Sequence, residues 1–222
     1  MNGNPAQLQF SIPVKICDGM FLADSHIAQV HISNMQDIDF FETNLISHVI
    51  NCAGQEVANN KSISQNKNQE ISYLTFDWSE NLIQNITEQK VISVLVGFVE
   101  ECRREAGCLL IHYASSESRP FCLLACYFMV KYKWSLFKTL EFLNSRKEEV
   151  ELEPAFFEQL TLFAQKLQDK GLIRSKTWVV SAGMSEEEII ITNTYLNSKN
   201  RHTNYQAGRA KKKNSNSIVW RK

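Results

Sequence analysis

The sequence predicts an α/β domain, and three observations carry that reading. Residues 108–111 are a short apolar run behind Gly107, the signal of a buried strand. Residues 121–130, Phe-Cys-Leu-Leu-Ala-Cys-Tyr-Phe-Met-Val, are an apolar stretch long enough for a core helix. Before and after them, strand-like runs alternate with segments of helical period, the pattern of helices packed on a sheet. A chain of 222 residues with 44% hydrophobic content can build one domain of usual size with a real core, plus extensions.

Taken in order, residues 1–11 are polar, contain Pro5 and show no periodicity, so an irregular arm is expected. Residues 14–17 and 20–23 flank Asp18-Gly19, a hairpin-turn signal. Asp24-Ser25 can cap a helix carrying Ile27, Val30, Ile38, Phe41 and Leu45, in one piece or in two divided near Ser33-Asn34. Residues 46–52 form a strand that ends at Ala53-Gly54, and 54–70 are a polar loop rich in Asn, Gln and Lys. Residues 71–76 alternate like a strand, and Asp77-Trp78-Ser79-Glu80-Asn81 follows.

Thr87 is placed to cap the next helix, with Val91, Val94, Leu95, Phe98, Val99 and Cys102 on one face. Gly107 ends it. The strand at 108–111 and a small polar loop lead to a helix with Pro120 at its first position, where a missing N–H costs little. Ser135 caps a helix with Leu136, Leu140 and Leu143 inward. An acidic link, 148–153, reaches a helix that starts at Pro154, buries Phe156, Phe157, Leu160, Phe163 and Leu167, and stops at Gly171. Residues 178–180 are a short extended candidate. Ser185-Glu-Glu-Glu188 is a capping box, which predicts a helix over 186–197. Its stripe of Ile189, Ile190, Thr192, Asn193, Tyr195 and Leu196 must pack on something. The organisation is an arm over 1–11, a domain over 12–170, an extension with one amphipathic helix over 171–198, and a basic tail over 199–222.

Charge is balanced overall and uneven along the chain. From position 199 there are eight basic residues, Lys199, Arg201, Arg209, Lys211, Lys212, Lys213, Arg221 and Lys222, and no acid. The first 198 residues hold 16 basic and 24 acidic groups, a net charge of −8. Such asymmetry suggests a tail with its own partner, with Trp220 available beside the cations. Beyond Ser198 only Ile218, Val219 and Trp220 could add to a core, so the tail alone in water is expected to stay disordered. The six cysteines lie mostly in apolar runs, with no Cys-x2-Cys pair and no zinc-type His spacing, which predicts reduced buried thiols in a cytosolic protein. No apolar run approaches the ~18–20 residues of a membrane span.

A strand, a tight loop from His112 to Arg119 and a helix N-terminus make an anion cradle of backbone N–H groups. This frame resembles the signature of the cysteine phosphatases, and within them the dual-specificity phosphatases, whose loop is His-Cys, five residues, then Arg. The flanks carry the likeness: Leu-Leu-Ile-His before the loop, Ala-Cys-Tyr-Phe-Met after it, 16–23 and 48–52 upstream, and 134–146 and 154–160 downstream. It covers roughly residues 12–168, with landmarks in the same order. The resemblance implies a central, mostly parallel sheet flanked by helices, with extended N- and C-terminal arms. It implies no cofactor and no metal.

Within the loop His112, Tyr113, Ala114, Ser115, Ser116, Glu117, Ser118 and Arg119, the resemblance places the nucleophile at Tyr113. A phenol with pKa near ~10 is a poor nucleophile at neutral pH. Ser116 stands where the family has Gly, and Pro120 stands where it has Ser or Thr. Glu117 adds a carboxylate that opposes a phosphate dianion if it points inward. The family's general acid corresponds to Asp77 or Glu80, and the spacing does not choose between them. These departures imply a pseudophosphatase. The chain as a whole is also similar to pseudophosphatase-type proteins of ciliated protists, with residues 138–146 and 193–197 as landmarks.

The first functional expectation is a non-enzymatic scaffold, whose basic tail and 185–198 helix bind an acidic partner such as tubulin or axonemal proteins in a cilium. The second is a phosphopeptide-binding module that captures phosphate through Arg119 without hydrolysis. The third, an enzyme using Ser115, Ser116 or Ser118, lacks a residue at the attacking position. Nucleic acid could meet Lys211, Lys212, Lys213, Tyr205 and Trp220, and is the outlying reading. Either the Tyr113 ring or the Glu117 carboxylate is expected to occupy or salt-bridge the Arg119 site.

Overall fold

A computed structural model describes residues 12–28, 40–59, 70–79, 82–148 and 150–199. The expected arm at 1–11, the tail residues beyond Lys199, Glu80, Val30 and Ile38 lie outside the described residues.

Five strands form one sheet: β1 (Val14–Cys17), β2 (Met20–Asp24), β3 (Ile46–Asn51), β4 (Ser72–Thr75) and β5 (Cys108–Tyr113), in the order β1-β2-β5-β3-β4. β1 and β2 are the predicted antiparallel hairpin, and Gly19 at its turn has φ +69°, a conformation that glycine adopts without penalty. The β2, β5, β3 and β4 neighbours are all parallel, so the sheet is mostly parallel, as expected.

β5 lies at the centre, and its alternation divides the core. Leu109, Ile111 and Tyr113 belong to the large cluster, while Leu110 packs in the small one with Phe21, Ala23, Ile27, Phe41 and Val49. Successive side chains of a strand point to opposite faces, which also puts His112 and Tyr113 on opposite sides of the sheet. The small cluster is covered by α1 (Ser25–Ala28) and a helical turn at 40–43. Asp24 caps α1, its carboxylate accepting from the His26 N–H at 3.0 Å. Leu45, expected on the buried stripe, is exposed, because it follows that turn with φ +52°.

The large cluster lies beneath α2 (Gln89–Arg104), α3 (Ser118–Tyr132), α4 (Leu136–Arg146) and α5 (Pro154–Asp169). α3 packs against each of the other three and is buried from Ser118 to Met129, as suits a helix apolar nearly all round. It begins at Ser118, so Pro120 is its third residue rather than its first; the N–H missing there is still one that has no intrahelical acceptor.

α2 is capped at Glu88 rather than Thr87, whose hydroxyl donates instead to Asn85 Oδ1 at 3.3 Å. Its buried face is Ile92, Leu95, Val99 and Cys102, and Val94 is exposed. At its C-terminus Ala106 takes the left-handed conformation at φ +54°. The N–H groups of Ala106 and Gly107 return to the Arg103 and Cys102 carbonyls, a Schellman ending one residue earlier than Gly107 suggested. Ser135 caps α4 as expected, accepting from the Lys138 N–H at 3.3 Å. There Phe142 and Leu143 are buried while Leu136 and Leu140 are half-buried, and Lys138 is fully buried. α5 begins at Pro154 and buries its predicted stripe except Phe157, which is 48% exposed.

Past Gly171 the chain folds back on this body. The Arg174 and Ser175 N–H groups donate to the Lys133 carbonyl at 2.8 and 3.0 Å, and the Ser135 N–H donates to the Ser175 carbonyl at 2.9 Å. Residues 178–180 form no strand; Trp178 instead lies between Trp134 and Tyr195, its ring centroid 5.4 and 3.8 Å from theirs. The predicted helix, α6, runs over 186–199, with the Glu188 N–H on Ser185 Oγ at 3.2 Å. It buries Ile191, Thr192 and Tyr195, while Ile190 and Asn193 point outward. Ile191 and Tyr195 join the main cluster, so the expected boundary at residue 170 does not separate two cores. Lys199, assigned to the tail from sequence, lies in α6 and pairs with Glu141 at 2.7 Å. All six cysteines are thiols.

Candidate functional site

The carboxyl ends of β5 and β3, the chain after β4 and the start of α3 converge where the sequence placed the loop. The Cys52 N–H donates to the His112 carbonyl at 3.0 Å, tying the end of β3 to β5. Asn51, buried, holds the following turn: its Nδ2 donates to the Val57 carbonyl at 2.7 Å, and its Oδ1 accepts from the Ala53 N–H at 2.9 Å. His112 is buried and its Nδ1 has no partner among the described residues. Burial pushes its pKa down to about 4, against a smaller opposing effect of Asp24.

Tyr113 is buried at the end of β5, and its hydroxyl donates to Glu117 Oε1 at 2.6 Å. The same carboxylate oxygen takes Lys147 Nζ at 2.7 Å. Of the two expected occupants of the Arg119 site, Glu117 is therefore engaged elsewhere. Arg119 is buried against the chain after β4. Its Nε donates to Gln84 Oε1 at 2.7 Å, and its Nη2 donates to the Ser79 carbonyl at 2.7 Å and the Leu82 carbonyl at 3.5 Å. Gln84 is itself fixed, because Gln159 Nε2 of α5 donates to its carbonyl at 2.7 Å. Gln84 and Gln159 carried no sequence signal, since a Gln in a polar loop or on a helix surface is ordinary.

The other loop residues anchor the acidic link. Ser116 Oγ donates to Glu153 Oε1 at 2.9 Å. The Ser118 hydroxyl donates to the Glu151 carbonyl at 3.3 Å and accepts the Glu153 N–H at 3.1 Å. Ala114 is half-buried and Ser115 exposed. Two carboxylates, Glu117 and Glu153, thus border the loop. Asp77 is exposed just past β4, and its backbone carbonyl accepts from Gln55 Nε2 at 3.3 Å. Cys52 is fully buried, and desolvation pushes its thiol pKa far up, against a smaller opposing effect of Arg119. Among the described residues no cluster of His, Cys, Asp and Glu could hold a metal, and no helix is long and apolar enough to cross a membrane.

Comparison with known proteins agrees with this architecture. The family model for the dual specificity phosphatase catalytic domain matches residues 29–166. Protein-tyrosine-phosphatase IBR5 of Arabidopsis thaliana is 23% identical over 145 residues, which are 62% of this chain and 54% of that protein. The chain therefore spans about half the length of that curated relative. The structure of human tyrosine phosphatase-like serine/threonine/tyrosine-interacting protein matches with a TM-score of 0.57 and 18% identity, over 70% of this chain and 97% of that one. Human DUSP28 matches with a TM-score of 0.51 and 17% identity, over 70% and 95%. A leucine rich repeat and phosphatase domain containing protein from Entamoeba histolytica matches at 0.53 and 16%, over 71% and 94%. At these identities the structural likeness concerns the fold alone. With more than half of its length matched by the family model, the chain belongs to the dual specificity phosphatase catalytic domain family.

Proposed function

We propose that this chain is a phosphatase-fold protein that does not turn over phosphate and serves as a structural partner in a larger assembly. The observation that carries the reading is the Tyr113–Glu117 hydrogen bond of 2.6 Å. It fills, with a ring and a carboxylate, the place where the family resemblance puts an attacking thiolate. A phenol with an ordinary pKa near ~10 is a poor nucleophile at neutral pH, and the carboxylate it donates to is already held by Lys147. Glu117 and Glu153 disfavour a phosphate dianion at the loop, and Pro120 has no hydroxyl to assist a leaving group. Two of the nitrogens that Arg119 would offer to phosphoryl oxygens, Nε and Nη2, donate instead to Gln84 and Ser79. That engagement also weighs against the phosphopeptide-capturing alternative.

The assembly role rests on charge: the acid-free basic tail suits an acidic surface such as tubulin, and an axonemal location in a cilium is the setting proposed for it. Two assays test the reading. Full-length protein is expected to release no phosphate from an aryl phosphate; turnover that disappears in Arg119→Ala would sink the inactive reading. Microtubule co-sedimentation is expected for the full chain and not for a 1–199 truncation, which keeps the Lys199–Glu141 pair intact. Equal pelleting of both forms would remove the tail from the proposal.

A further inference from the structure

A second site lies on another part of the molecule, where α3 ends and residues 174–175 and 181–185 fold back beside it. A pocket of ≈ 300 Å³ there is lined by Lys131, Lys133, Arg174, Ser175, Ser181 and Ser185. This volume is at the lower end of small-ligand pockets, roughly 300–1,000 Å³.

The charges around it do not cancel. Lys131 is paired with Glu100. Lys133 and Arg174 have no ion-pair partner among the described residues, yet the backbone brings them together. Lys133 holds the left-handed position after α3, at φ +57°, and its carbonyl accepts the Arg174 N–H at 2.8 Å. The main chain thus holds side by side two residues whose cationic side chains both line the pocket.

Three acids begin α6, but only Glu188 lines this pocket, and it is already committed. It accepts from Trp134 Nε1 at 2.6 Å and lies 3.7 Å from Lys138 Nζ. Glu186 and Glu187 line a different cleft, and Glu187 pairs with Arg103.

The hydroxyls fit the same ligand sign. Ser175 Oγ accepts from Lys138 Nζ at 2.6 Å, and Ser185 Oγ accepts from the Glu188 N–H at 3.2 Å. Each of these oxygens is used as an acceptor, which leaves its proton to donate. Tyr132 also lines the pocket, while its hydroxyl is turned into the interior. Cations and spare O–H donors together ask for an anion with several acceptor oxygens.

We propose that this pocket binds the phosphate group of a small phosphomonoester, separately from the 112–119 loop. The pocket carries this whether or not the loop is inert.

The test is calorimetric titration of the full chain with O-phosphoserine and, in parallel, with inorganic phosphate. Wild type and Arg119→Ala are expected to bind O-phosphoserine alike, and Lys133→Ala/Arg174→Ala to bind at least ~10-fold more weakly, as the loss of two charge-assisted contacts requires. Both cations lack ion-pair partners among the described residues, so this variant should keep the wild-type melting temperature. If it does not, the single Arg174→Gln substitution carries the same comparison. Tighter binding of O-phosphoserine than of phosphate supports an organic phosphomonoester, and equal affinity keeps the anion site while assigning it to free phosphate. Absence of saturable binding of either probe at millimolar concentration would overturn the proposal. Binding lost in Arg119→Ala and untouched by the pocket variants would also overturn it, and would count against the inert-loop reading as well.

Discussion

The indole N–H of Trp134 donates to the Glu188 carboxylate at 2.6 Å, and both groups are buried. This bond joins the start of α4 to the first turn of α6 across 54 positions. Around it, Lys138 Nζ lies 4.5 Å from the Trp134 ring centroid and 4.8 Å from that of Trp178. The Trp178 indole N–H in turn donates to Glu141 Oε2 at 2.7 Å. A buried ammonium is tolerable only where a carboxylate, a hydroxyl and ring faces replace its water. Residues 171–199 provide the carboxylate, the hydroxyl and one of the two ring faces, so they complete the domain rather than hang from it.

Glu188→Ala should therefore be among the most destabilising single changes in the chain. It leaves Lys138, 0% exposed, without its carboxylate, and removing one member of a buried pair costs about 3–5 kcal/mol. Lys138→Met/Glu188→Leu replaces both charges by apolar groups and should recover most of that loss. Urea denaturation followed by tryptophan fluorescence measures both. A loss below about 1 kcal/mol for Glu188→Ala would show that water reaches Lys138.

His112 sets an acid sensitivity. Its folded pKa, about 4, lies below the ordinary 6.5 because burial disfavours the imidazolium. Between those values the unfolded chain binds the extra proton and the folded one does not. The stability is thus whole above about pH 6.5 and falls as the pH drops toward 4, by about 3 kcal/mol in total. His112→Asn should flatten this window relative to wild type in denaturation curves at pH 4, 5, 6 and 7. An unchanged slope would mean that His112 charges freely within the fold.

Much of this architecture was legible because its signals are local. The Asp18-Gly19 turn, the apolar runs of β5 and α3, and the Ser185–Glu188 capping box each specify their element from a few neighbouring residues. What was not legible depends on distant partners. Lys138 reads as a surface residue of an amphipathic helix until Trp178 and Glu188 return from 40 and 50 positions away to cover it. The spacing finds the loop, but it offers only the Tyr113 ring or the Glu117 carboxylate as neighbours of Arg119, which donates to Gln84. The same limit applies to Phe157 and Val94, whose apolar character fits a helical stripe that the neighbouring helices do not cover.

Two glycines should respond in opposite directions to alanine. A Cβ at Gly54 would lie 2.6 Å from the Phe76 carbonyl oxygen, a backbone atom that cannot step aside while it accepts the Gly54 N–H at 3.0 Å. Gly54→Ala should cost about 1–3 kcal/mol, as overpacking does. Gly97, exposed within α2, has nothing within 4 Å of the added methyl. Gly97→Ala should add about 0.5–1 kcal/mol through helix propensity. Thermal melts of the two variants check the pair, and a stabilised Gly54→Ala would place the 53–57 turn farther from β4 than described.

Tyr113→Cys puts a thiol where the resemblance expects the nucleophile, and it should still fail to make an enzyme. The substitution removes one obstacle of several. The Glu117 and Glu153 carboxylates remain beside the loop, Pro120 still lacks a hydroxyl, and Arg119 stays on Gln84 and Ser79. Loss of the buried ring should lower stability by about 3–5 kcal/mol, so melting must be checked first. In protein that remains folded, aryl phosphate hydrolysis should stay at the level of the Arg119→Ala control. Turnover in Tyr113→Cys above that control would show that the loop had kept its phosphate geometry and that Tyr113 alone silences it.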